Sequence, residues 1–138
     1  METKSINEVR TTILINLICL IALVMLFEYA QYTFWTKYVI TTEGILLILF
    51  IITFYKGYIQ SGLWKFTHKP LKTLDERERA LTNKTLRYGY AIFTIAVLAL
   101  LLFFALSGKE ISIVTAVSFI LFAHILPASV LAWTEKKL

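Results

Sequence analysis

Three ionisable side chains stand inside otherwise apolar runs: Glu28, Glu43 and His124. A side chain of that kind is costly to keep charged away from water, so each is a candidate for carrying a proton or a cation. Glu28 and Glu43 lie at nearly equal distances on either side of Trp35-Thr36-Lys37. If the flanking runs fold back on each other, both carboxyls come to similar depth, where they repel unless they share a proton or a cation. The competing reading places both near the outer edge of the runs, within reach of water and Lys37. A second run that begins only at Gly44 would likewise leave Glu43 among headgroups. His124 lies deeper, about thirteen residues or 20 Å from the outer end of its run at 1.5 Å per residue. Three residues on, Pro127 removes a backbone donor and frees the carbonyl of Ala123. Such an imidazole suits a proton relay or a haem ligand. Two histidines of one chain cannot easily share a haem, because His68 falls in a polar stretch. A His124 bonded to a neighbouring helix is the simpler alternative.

Other chemistry has little to stand on. The chain has no glycine-rich phosphate loop, no His-Glu-x-x-His, no Gly-x-Ser-x-Gly and no paired-cysteine metal signature. Cys19 is the single cysteine, so no disulfide can close within the chain, and dithiol chemistry is excluded. Amid Leu-Ile-Cys-Leu-Ile it is expected to behave as a small apolar group. No catalytic residue, metal or cofactor is assigned, and a non-enzymatic protein is expected.

The elements that must position these residues follow from composition. Hydrophobic residues make up 58% of the 138 and charged residues 17%; mean hydropathy is +0.72. A soluble domain has an apolar share of about 45–50% and a charged share of about 25%. Four continuous apolar runs stand out, over residues 11–34, 38–58, 86–106 and 111–133. Each approaches the roughly 20 residues with which a helix crosses 30 Å of hydrocarbon. In lipid a helix satisfies its own backbone, and none of the runs alternates as a strand would. The expected fold is therefore all-α, a single polytopic membrane domain with four transmembrane helices arranged as two antiparallel hairpins. The first run is too long for an ordinary signal sequence and is expected to be retained. The short links at Trp35-Thr36-Lys37 and Ser107-Gly108-Lys109 make antiparallel neighbours, Gly108 being suited to a left-handed helix end.

Between the hairpins lies a long cationic stretch, residues 59–85, and its charge orients the chain. With four crossings, the N-terminus, this stretch and the C-terminus share one face. That face carries twelve of the fourteen basic residues, Lys4, Arg10, Lys56, Lys136 and Lys137 among them; Lys37 and Lys109 fall on the other. Positive charge stays inside, which predicts a bacterial cytoplasmic membrane with both termini cytoplasmic. The charge of +5 is no sign of nucleic-acid binding. These residues flank apolar runs, where anionic lipid headgroups attract each Lys or Arg by about 1 kcal/mol. Tyr29, Tyr32, Trp35 and Tyr38 suggest an outer aromatic belt; Tyr55, Tyr58, Trp64, Tyr88 and Trp133 suggest an inner one.

Local signals give the stretch some order. Pro70 should end any helix continuing from the second run. Thr73-Leu74-Asp75-Glu76 fits a capping box, and Asp75 stands four ahead of Arg79, a favourable helical ion pair. Leu74, Leu81 and Tyr88 recur every seven residues. Together they predict a cytoplasmic helix from about Leu74 that leads into the third span. It would offer Lys69, Lys72, Arg77, Arg79, Lys84 and Arg87 to lipid or to a partner protein. Within the spans, Asn16 is expected to bond across helices. Ala128 and Ala132, and likewise Ser112 and Ala116, have the small-xxx-small spacing of close helix packing.

Leu74-Asp75-Glu76-Arg77-Glu78, just ahead of an apolar run, resembles the Leu-Asp-Glu-Arg segment of small uncharacterised bacterial four-span membrane proteins. The resemblance covers roughly residues 70–91 and implies a similar helix leading into the third span; it implies no activity. The leading expectation is an accessory or scaffolding membrane subunit that contacts a membrane protein partner, or further copies of itself, through the basic stretch. The alternative is a small proton- or cation-coupled transporter acting as an oligomer, with Glu28, Glu43 and His124 as carriers.

Overall fold

A computed structural model of the protein describes residues 5–134. Lys4, Lys136 and Lys137 lie outside the described residues. All regular structure among those described is helical, and four helices are long and apolar enough to cross a membrane. The protein is an all-α, multi-pass membrane protein. It divides into two compact units, one ending at Ser61 and the other beginning at Gly62.

The first unit is a hairpin of α1 (Ile6–Tyr32) and α2 (Lys37–Phe54). Ser5 caps α1, its hydroxyl accepting from the Glu8 amide at 3.3 Å. The cap supplies a partner for one orphan donor of the first turn, so the helix starts ahead of the apolar run that announces it. Thr36 caps α2 in the same way, accepting from the Val39 amide at 3.3 Å. Across the short link, Phe27 and Trp35 meet edge-to-face with ring centroids 5.4 Å apart. α2 continues into a wider π-helical turn, Tyr55–Ile59, whose end is marked by a 2.9 Å bond from the Gln60 amide to the Tyr55 carbonyl. Tyr58 in that turn is fully buried. It therefore does not belong to an exposed inner belt, unlike Tyr55, Tyr88 and Trp133, which are more than half exposed.

The clamp of this hairpin is polar. Asn16 of α1 is fully buried, and its Nδ2 donates to the Phe50 carbonyl and to Thr53 Oγ1 of α2, both at 2.9 Å. A primary amide has two donor hydrogens, so this one atom ties two positions of the facing helix.

The second unit opens at Gly62, whose φ of 81° is a left-handed conformation that side chains resist. This glycine, and not Pro70, ends the helical path of the second span. A short helix α3 (Leu63–Thr67) comes next, and Pro70 leads into a 3-10 turn, Leu71–Thr73. The long helix α4 (Glu76–Ser107) then runs unbroken for 32 residues. At 1.5 Å per residue it is about 48 Å long, well beyond the roughly 30 Å of a hydrocarbon core. It ends at Gly108, with φ of 63°. α5 (Ile113–Thr134) returns against α4 and also meets α3. Ser112 caps α5 by accepting from the Thr115 amide at 3.1 Å, so it lies at the helix start.

Gly89 of α4 lies against Pro127 of α5. A Cβ there would stand 3.4 Å from the backbone nitrogen of Pro127. α5 continues through Pro127, and Ile125, Ala128, Leu131 and Ala132 near it are buried.

Candidate functional site

The cap of α4 sits two residues later than Thr73-x-x-Glu76 suggests. Asp75 is the N-cap: its Oδ1 accepts from the Glu78 amide at 2.6 Å, and Glu78 Oε2 accepts from the Asp75 amide at 3.2 Å. Thr73 is committed elsewhere, its hydroxyl and its amide both donating to the Pro70 carbonyl. The expected Asp75–Arg79 ion pair gives way to a bond from Arg79 Nε to the Leu74 carbonyl at 3.1 Å. Glu78 also accepts from Lys69, with Nζ 3.0 Å from Oε2, which ties the preceding loop to the first turn of α4.

The face on which this extension packs differs from the leucine spacing as well. Leu74 is buried but precedes the helix, Leu81 is half-buried, and Tyr88 is exposed. The buried line of α4 runs instead through Thr82, Thr85 and Gly89, with the Thr85 hydroxyl donating to the Thr82 carbonyl at 2.9 Å. Around the rest of the helix lie Ala80, Asn83, Lys84, Arg87, Tyr88 and Ala91, all exposed, which line a concavity of about 430 Å³.

The basic residues therefore fall into groups. Lys69 is paired with Glu78, Arg79 bonds the Leu74 carbonyl, and Arg77 is engaged within the protein. Lys72 is exposed in the 3-10 turn. Lys84 and Arg87 stand together at the concavity, one helical turn apart.

The acidic candidates lie in the first unit. Glu28 of α1 and Glu43 of α2 are both half-buried, and Oε2 of each is shut off from solvent. Glu43 Oε2 has no hydrogen-bond partner among the described residues. His124 belongs to the second unit and does not reach across to a neighbouring helix. Its ring is exposed on α5, with Nδ1 2.9 Å from the Ile120 carbonyl oxygen of its own helix. A carbonyl only accepts, so Nδ1 carries the proton and Nε2 is left on the helix surface. His68 stacks on Trp64 with centroids 4.1 Å apart. Among the described residues no three His, Cys, Asp or Glu side chains gather as a metal site would need.

Sequence reasoning marked Lys84 and Arg87 as contacts and Tyr88 as an interfacial aromatic, but missed Asn83 beside them. Separations of one, three and four from Lys84 to Asn83, Arg87 and Tyr88 were the available signal, since they place all four on one flank of a helix. The chain matches no family model, and no curated protein or solved structure aligns with it significantly.

Proposed function

We infer that the protein is a non-enzymatic accessory or scaffolding subunit of a bacterial cytoplasmic membrane. Both termini and the start of α4 face the cytoplasm in this reading, as the placement of Lys and Arg favours. Its contact with a membrane protein partner, or with another copy of itself, is the polar start of α4 with the loop before it. The observation that carries this reading is the single 32-residue helix with a locked first turn. A helix longer than the bilayer, begun by a capping box and held by the Lys69–Glu78 pair, is a rigid arm outside the membrane. A rigid arm presents a surface at little entropic cost on binding.

The test is a photo-crosslinker placed at Arg77 in the full-length protein, followed by purification from membranes. A stoichiometric partner or a crosslinked dimer is expected. Recovery of the protein uncrosslinked and alone would overturn the reading. Sidedness is checked with Lys72→Cys in a Cys19→Ser background, which should label only after the membrane is opened to the cytoplasmic side.

A second reading, a small proton- or cation-coupled transporter working as an oligomer, draws on the enclosed, unbonded oxygen of Glu43. Glu28 and His124 would complete the carrier groups. Unchanged proton or cation flux in vesicles bearing Glu28→Gln with Glu43→Gln would dispose of it.

A further inference from the structure

We propose that Asn83, Lys84, Arg87 and Tyr88 form a binding site for a phosphate anion, and that an anionic phospholipid headgroup at the membrane surface occupies it. All four line the same concavity of about 430 Å³, with Ala80 and Ala91 among its walls. None of the four side chains bonds to another described residue, whereas Lys69, Arg77 and Arg79 are already engaged. The donors are of the kinds that phosphate takes: a guanidinium able to offer two parallel N–H groups, an ammonium, an amide and a phenol. Small side chains at 80 and 91 leave the space that longer ones would fill.

Depth supplies the second argument. Lys84 and Arg87 are followed at once by Tyr88 and Tyr90, which are 53% and 73% exposed, and then by the apolar length of α4. Aromatic rings with a polar tip settle at the headgroup level. Lys84 stands about 6 Å further out than Tyr88, at 1.5 Å per residue. That is where phosphates lie, and where a surface of anionic lipid draws Lys and Arg. The site rests on α4 crossing the bilayer with its polar start in the cytoplasm, and it does not depend on the partner contact.

Native mass spectrometry of the full-length protein in detergent tests the proposal. Dioleoylphosphatidylglycerol and dioleoylphosphatidylcholine are added at equal concentration, with and without inorganic phosphate. The wild type should retain the anionic lipid over the zwitterionic one by about tenfold. Lys84→Gln with Arg87→Gln should reduce that preference to near unity, and Lys84→Arg with Arg87→Lys should keep most of it. Lys65→Gln with Lys72→Gln removes the same charge outside the concavity and should leave the preference intact. Displacement of the lipid by inorganic phosphate would assign the site to phosphate from either source, and retention would assign it to the lipid. Equal losses in the two neutralised variants, or no preference in the wild type, would overturn the site. Partner recovery is scored separately on the same preparations, so either result can fail while the other stands.

Discussion

The two hairpins of this protein are fastened by opposite means. In the first, a buried amide on α1 holds a carbonyl and a hydroxyl on α2. In the second, a glycine on α4 is laid against a proline on α5. The first arrangement gains register, because the Thr53 hydroxyl stands at one position only. The second gains nearness, because dispersion rewards close contact along the whole face. The difference shows also at the surface. The first unit keeps two carboxyls half-buried within its spans, while the second carries its charge on a helical arm.

Substitutions at the two fastenings should break them unequally. Gly89→Leu places a branched chain where a Cβ alone would stand 3.4 Å from the Pro127 nitrogen. It should destabilise the second unit by about 2–3 kcal/mol, the usual cost of overpacking. Gly89→Ala should be nearly neutral, and loss of helical signal on heating in detergent separates the pair. Asn16→Leu removes both bonds of the first unit for about 1 kcal/mol, since bonds between helices in membranes are modest in net value. The same melting experiment reads it. A result as large as that of Gly89→Leu would show that the amide does more than fasten.

Smaller effects lie along the arm. Asp75→Ala deletes the N-cap of α4 and should cost about 0.5–1 kcal/mol. Faster hydrogen exchange confined to the amides of residues 76–79 would report it. Lys69→Ala breaks a partly exposed ion pair and should change stability by less than about 0.5 kcal/mol. Its measurable effect should be looser exchange in the loop of residues 68–74.

Continuous apolar runs made the four spans legible in the sequence, because nothing else accounts for so many uncharged residues in succession. Their ends were less so. Thr73-x-x-Glu76 and Asp75-x-x-Glu78 overlap, and both fit the same capping pattern. The Pro70 carbonyl decides between them by taking the Thr73 amide and hydroxyl, a contact that no spacing rule contains. The grouping of the basic residues was hidden for a similar reason. Lys69 meets Glu78 nine positions away across a turn, and only folding brings them together. The rotation of α5 was illegible too. That helix is apolar on every side, so periodicity cannot say that His124 faces outward.

Asn16 has one further consequence. Its two acceptors, on Phe50 and Thr53, are three residues apart on α2. A slide of α1 along its neighbour by a single turn would forfeit the Thr53 hydroxyl, because Leu49 and Gly57 stand one turn to either side of it, and would leave only a main-chain carbonyl to accept. A piston stroke of one turn would therefore cost the first hairpin the one contact that only Thr53 can supply.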